Sequence, residues 1–367
     1  MRFRFALAVV VLQVGVLAYM GGERELVLRT GRTILLRTAP IDPNDAMRGD
    51  YARLDYDIST VTREQCRDGV LKMFAPSGYV YSRQWRDTQV FATLKINDTS
   101  VAELVSVSDQ RPDSGLFLRG RVESVNDHAL RFRYGIEAFF MQQGTAQKLE
   151  DTRRNDRPGV PIDAEVAVSP AGLAVLKGYH WEPLGITTTF ERAAFVPPGS
   201  PPSPAAPATG QTRPRQQTPP PRQVIAAVKV ELKNYGPEEV AIVDLPEGGS
   251  FRLVPDARGQ EIRYRWAGEN QPPLPSEAGH VIVLKPGERH VTTIDLAQPK
   301  WFVTDTKAKP DRQAPMALRE VTETWSASFR LEYTPPDRAA VQGLPHADLV
   351  RHGKLRSRAF NPTAGMD

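Results

Sequence analysis

Proline is the feature that most narrows what this chain can fold into. There are 32 prolines in 367 residues. Each one fixes φ and removes a backbone donor, which breaks helices and favours turns, strand edges and linkers. Apart from the amino terminus, no stretch carries helical periodicity of useful length. The remainder alternates apolar and polar residues in short runs, the signature of strands. The length suffices for two domains, each with its own core.

The exception is Phe5–Met20, an apolar run interrupted only by Gln13 and Gly15 and preceded by Arg2 and Arg4. Basic residues ahead of such a run fit a signal sequence with the carboxyl side exported. The stretch 16–22 matches a cleavage site poorly, so an uncleaved transmembrane signal anchor over residues 1–23 is expected. The expected location is the inner membrane, single-pass through residues 5–20, with the bulk of the chain periplasmic. Glu25–Thr30 reads as β-prone, or else the helix runs on to about Leu28 and Gly31 caps it.

Past the anchor, a turn-rich stretch containing Pro40, Asp42, Pro43 and Asp45 leads into Gly49-Asp50-Tyr51-Ala52-Arg53-Leu54-Asp55-Tyr56. In the strand that follows, Ala52, Leu54, Tyr56 and Ile58 share one face, and Arg53, Asp55 and Asp57 share the other. Leu54 and Tyr56 are therefore expected in a core, with Tyr51 covering the bend. Further strands are expected over 78–85, 90–96, 101–107, 116–125, 129–136, 165–168 and 173–178.

Ten prolines fall between Pro197 and Pro221 among small and polar residues. Such a segment buries too little to order itself, and it reads as a spacer over 196–223. From Val224 about seven short strands return, separated by turn signals at the spacing of a sandwich. The expected organisation is all-β: an amino-terminal transmembrane helix, a β-barrel or β-sandwich domain over 24–195, the Pro-rich linker, and an immunoglobulin-like β-sandwich over 224–367.

The Gly49-to-Tyr56 signature resembles the GDYxxLxY family of bacterial membrane-anchored proteins. The likeness extends to the upstream Pro-Ile-Asp-Pro-Asn-Asp, to Phe117-Leu118-Arg119-Gly120-Arg121-Val122, and to Tyr134-Gly135-Ile136-Glu137-Ala138-Phe139-Phe140 with Gly144 beyond it. The blocks cover roughly residues 5–180. After the last block the family tends to be acidic and Gly-rich, whereas Gln142–Lys148 here is less acidic. The resemblance implies an envelope protein with a polytopic inner-membrane partner, and it supplies no catalytic residues.

No pattern of residues points firmly to catalysis. Asp42, Asp45 and Asp50 are weak calcium candidates beside Asp55 and Asp57, but no EF-hand spacing is present; turn formation and ion pairing with Arg48 or Arg53 are simpler roles. Arg48-Gly49-Asp50 spells an adhesion tripeptide, where Gly49 more simply serves a bend. A signal-peptidase-like site would need Ser59 with Lys72 or Lys95. The six histidines are scattered, and the single cysteine, Cys66, excludes internal disulfides and Cys-rich zinc sites. Tyr134, Gly135, Glu137, Phe139 and Phe140 could form a contact patch or pack as core; Glu137 would then pair with Arg121 or Arg133.

Charge of +4, with acids and bases interleaved, excludes a nucleic-acid footprint. The basic 351–358 segment reads as a solvated final strand. No cofactor is expected. The function expected is a non-enzymatic interaction protein docking to another integral membrane protein. A cell-envelope hydrolase or peptidase assembled only in three dimensions is the alternative. Another is ligand or cell-wall polymer binding through Trp266, Trp301 or Trp325.

Overall fold

The computed structural model describes residues 2–38, 51–74, 84–125, 129–140, 148–149, 151–195, 222–256, 262–268, 274–309, 313–321 and 327–362. Helix α1 spans Arg2–Thr30, so of the two readings of 25–30 the continued helix holds and the strand does not. Gly31 donates to the Val27 carbonyl at 2.8 Å and closes the helix. A Cβ at Gly31 would lie 2.5 Å from that oxygen, which reserves the position for glycine. Among the described residues no helix is long and apolar enough to cross a membrane. The large apolar side chains described between Phe5 and Met20 are nonetheless exposed along α1, and its last turns pack, with Val27 buried and the helix against the strands Ile162–Val168 and Ala174–Trp181.

The described residues after α1 are mostly β. Strand β1 (Arg32–Arg37) pairs with β9 (Ile162–Val168), which pairs with β10 (Ala174–Trp181), all antiparallel. A five-stranded sheet runs β3 (Thr60–Thr62), β7 (Ala129–Arg133), β6 (Leu116–Val125), β4 (Gln89–Ile96), β5 (Ala102–Ser108). The pair β2 (Tyr51–Arg53) and β8 (Ala138–Phe140) completes this body. One core unites it: Ile34 and Leu36 from β1, Leu54 and Tyr56 after β2, Leu118, Val122, Leu130 and Phe132 from the large sheet, and Ala164 and Val166 from β9. Cys66 lies in this core, its thiol pushed up to about 12 by burial.

The carboxyl-terminal body has a second core, containing Ile186, Val230, Phe251, Trp301, Leu331, Tyr333 and Phe360. Its largest sheet joins β11 (Leu184–Phe195), β12 (Arg222–Asn234) and β17 (Arg289–Asp295). Around it lie β13 (Val240–Val243) with β16 (Val281–Leu284), and β15 (Tyr264–Trp266) with β18 (Val303–Asp305). Strands β14 (Phe251–Pro255), β19 (Phe329–Tyr333) and β20 (Leu355–Arg356) form a further sheet.

This pairing corrects the expected domain boundary. Strand β11 runs antiparallel to β12 from Leu184↔Asn234 to Phe195↔Arg222. Leu184 and Ile186 also belong to the carboxyl-terminal core. The crossing between bodies therefore lies at the Glu182–Leu184 corner rather than at residue 195. The Pro-rich stretch connects two paired strands of one sheet; it does not separate two domains. Its own residues 196–221 lie outside those described.

A loop between paired strands can be shortened without moving either body. Replacing residues 196–221 by a two-residue Asn-Gly turn is expected to retain the β-type far-UV dichroism. Because loop-closure entropy grows with the logarithm of length, the change should stabilise by about 2 kcal/mol in chemical denaturation. Loss of folding would mean that the flanks do not pair.

Candidate functional site

The two sequence blocks that stood out, 49–56 and 134–140, meet in space. Tyr51, Ala52 and Arg53 pair with Phe140, Phe139 and Ala138. The chain then leaves β2, and the Leu54 amide donates to the Glu137 carbonyl at 2.7 Å. Two residues on, the buried Tyr56 hydroxyl donates to the Ile136 carbonyl at 2.7 Å. Tyr134 reciprocates, its hydroxyl donating to the Ile58 carbonyl at 2.9 Å. Tyr56 of the first block thus satisfies a carbonyl of the second, and Tyr134 of the second satisfies a carbonyl two residues past the first, as buried backbone acceptors require. Burial first, and then the Glu137 carboxylate, push both phenols far above their ordinary pKa, so both remain donors.

Glu137 has a role different from the one expected. Its carboxylate takes the Tyr134 amide at 2.5 Å and the Gly135 amide at 2.9 Å. It does not sit on Arg121 or Arg133, whose described hydrogen bonds go to the backbone carbonyl and the carboxylate of Asp87, respectively. Gly135 stands at φ +81°, in the left-handed region, where its lack of Cβ permits the turn. Tyr134 is core, while Phe139 is half-buried with its ring edge-on to Tyr179 at 5.9 Å. The geometry is that of a corner that folds two segments together, with the Glu137 carboxylate bonded to two backbone amides and both phenols bonded to backbone carbonyls.

Asp42, Asp45, Arg48, Gly49 and Asp50 lie outside the described residues, as do the side chains of Tyr51 and Phe140. Asp55 and Asp57 are committed elsewhere. Asp55 pairs with Arg131 at 3.1 Å and Asp57 with Arg356 at 2.9 Å. Among the described residues no group of three or more His, Cys, Asp or Glu is placed to hold a metal ion. Ser59 is buried in the core while Lys72 and Lys95 are exposed, so the signal-peptidase arrangement does not assemble. His290 and Thr292 both bond the same oxygen of Asp244, at 2.7 and 2.6 Å; the imidazole is directed to the carboxylate and does not activate the hydroxyl. Trp266 and Trp301 are 9% and 1% exposed and stack at 6.0 Å, which removes both from an exposed aromatic row; Trp325 lies outside the described residues.

The constellation that sequence reasoning missed is built on charge. Arg37, at the end of β1, donates from Nε to Asp163 Oδ1 at 2.5 Å and from Nη2 to Asp163 Oδ2 and Glu182 Oε1, both at 3.1 Å. Glu182 Oε2 receives Arg351 at 2.7 Å. Nearby, Arg356 bridges Asp57 at 2.9 Å and Glu332 at 2.7 Å, and Arg330 pairs with Asp256 at 3.1 Å. One signal was available in the sequence: Asp163 interrupts Ile162-Asp163-Ala164-Glu165-Val166, a strand whose faces are both largely buried. Its partners are 126 and 19 residues away along the chain, and no local pattern names them.

Burial, then a hydrogen bond with Glu182, push Asp163 up to about 6 against the pull of Arg37. Glu182, although burial opposes its charge, is held below its ordinary value by Arg37, by the hydrogen bond with Asp163 and by Arg351. Burial also raises Asp57, opposed by Arg356 and Arg37.

Residues 13–178 match the family model described as "GDYXXLXY protein". This part of the chain is similar to the GDYXXLXY family. The match begins within α1 and ends within β10, ahead of the Glu182–Leu184 crossing, so the family segment covers the later part of α1 and most of the first body, and the carboxyl-terminal body lies beyond it. No curated protein and no solved structure matches the chain.

Two outcomes are expected from this site. Tyr56→Phe leaves the Ile136 carbonyl buried without its donor and should cost about 1–3 kcal/mol in urea denaturation. The second concerns pH. Asp163 holds its proton more tightly folded than unfolded, so its contribution is complete below about pH 4 and is lost as pH rises through about 6. Wild type measured from pH 4 to 7 should therefore lose roughly 1–3 kcal/mol relative to Asp163→Asn, which cannot ionise.

Proposed function

We propose that the protein is a membrane-held, non-enzymatic interaction protein. Helix α1 enters the inner membrane as a single-pass anchor, the β bodies stand on the extracytoplasmic side, and the family body docks to a polytopic partner in the same bilayer. The carboxyl-terminal body, read as an immunoglobulin-like sandwich, reaches outward. The observation that carries this reading is the exposure of Leu7, Val10, Val11, Leu12, Val14 and Leu17 on a helix that packs only by its last turns. An apolar surface on all sides of a helix is costly in water and favourable in lipid. The run 5–20 covers about 24 Å at 1.5 Å per residue. That is short of a ~30 Å hydrocarbon core, a mismatch that thinning of the bilayer or association with other helices relieves.

The hydrolase alternative has less support, because the serine, cysteine and histidine groups reviewed above are buried in a core or turned away from any nucleophile. Polymer binding through a tryptophan row loses its support with the burial of Trp266 and Trp301.

Cell fractionation tests the anchor. Leu12→Arg with Val16→Arg places two charges mid-helix at about 2.5–3.5 kcal/mol each on an insertion scale, and should move the protein out of the membrane fraction while the β bodies stay folded. For the partner, crosslinking followed by detergent extraction and pull-down should recover a stoichiometric polytopic membrane protein. Recovery of this chain alone would count against the docking role.

A further inference from the structure

The carboxyl-terminal segment is fixed to its own body by backbone bonds. Arg351 N donates to the Ala241 carbonyl at 3.0 Å, Ser357 N to Leu331 at 2.8 Å, and Phe360 exchanges bonds with Phe329 at 2.8 and 2.9 Å. Between these fixed points the same segment reaches the other body repeatedly. Arg356 bonds Asp57, just after the signature strand. Arg351 bonds Glu182, which shares Arg37 with Asp163. The Lys354 carbonyl accepts from Arg37 Nη1 at 2.9 Å. Close by, a Cβ at Gly353 would stand 3.7 Å from Thr99 Cγ2.

Arg37 gives the arrangement its direction. It ends the six-residue strand β1, and β1 follows α1 with Gly31 alone between them. The backbone route from the helix to the carboxyl-terminal body is thus α1, β1, Arg37. The covalent connection at Glu182–Leu184 is a single chain crossing, flanked by the bond from the Ile186 amide to the Gly159 carbonyl at 3.1 Å, and the clasp adds contacts away from that corner.

We propose that Arg37, Arg351 and Arg356 with Asp57, Asp163 and Glu182 form a clasp that locks the two bodies into one unit and carries the orientation of α1 to the carboxyl-terminal body. The clasp holds whether α1 lies in lipid or in detergent, so it stands apart from the proposed docking role. Arg37, Asp163 and Glu182 are largely buried while Arg351 and Arg356 are partly exposed, so a misaligned body would take Arg351 from a buried carboxylate and the Lys354 carbonyl from a buried guanidinium, which suits alignment better than apolar packing does. The clasp is therefore either engaged or released, and a movement of α1 that displaces Arg37 releases it.

The experiment uses the full chain in detergent micelles, carrying Thr99→Cys with Gly353→Cys as a reporter of alignment. Disulfide formation under mild oxidation, followed by gel shift, is expected to be fast with the clasp intact. Arg351→Ala with Arg356→Ala should slow it at least tenfold while near-UV dichroism shows both bodies folded. Arg351→Ala alone, a substitution at a partly exposed side chain, should slow it several-fold and serves if the double variant fails to fold. An unchanged crosslinking rate in a folded variant would overturn the proposal.

Discussion

A guanidinium removed from water must be met by carboxylates, and the position of Arg37 makes that requirement organise the whole chain. Burial alone would lower its pKa; Asp163 and then Glu182 more than offset this and hold it charged. Asp163 comes from the neighbouring strand, and Glu182 from the corner where the chain leaves the first body. Such groups add modestly to net stability, since desolvation consumes much of the Coulombic gain. Their effect is on uniqueness: they reward one register of β1 on β9 and penalise its neighbours, which would leave Arg37 facing apolar side chains.

The motif corner works by the same logic with neutral groups. Tyr56 and Tyr134 exchange hydrogen bonds with the backbone across the two blocks, and Glu137 seats the turn between Tyr134 and Ala138 by taking two amides. A signature of this kind records a folding requirement. One short pairing of β2 with β8 is followed by a departure that carries Leu54 and Tyr56 into the core.

Much of the fold was legible because its strands alternate. The faces assigned to Leu54, Tyr56 and Ile58 are the buried ones, and β4, β5, β6, β9 and β10 lie where alternation placed them to within a few residues. The stretch 25–30 was legible as one of two readings: its residues are β-prone, yet helix formation is cooperative, and the helix running on to a Gly31 cap is the reading that holds. Two things were not legible, each for a physical reason. Strand β11 was hidden by the prolines after it, whose composition signals a spacer whether the flanks pair or not. The clasp was hidden by distance: Arg356 and Asp57 are 299 residues apart, and a basic run with its acids elsewhere looks like solvated charge.

Cys66 carries a consequence of a different kind. A chain with one accessible thiol in an oxidising compartment acquires mixed disulfides or crosslinked dimers, because nothing within the molecule can resolve the bond. Cys66 is fully buried and its thiol is held protonated, so little thiolate is available to react. Its sulfur bonds inward to the Thr62 carbonyl at 3.4 Å. The residue is thus chemically silent as long as the core is closed, and its first reactivity towards a thiol reagent would report the opening of that core.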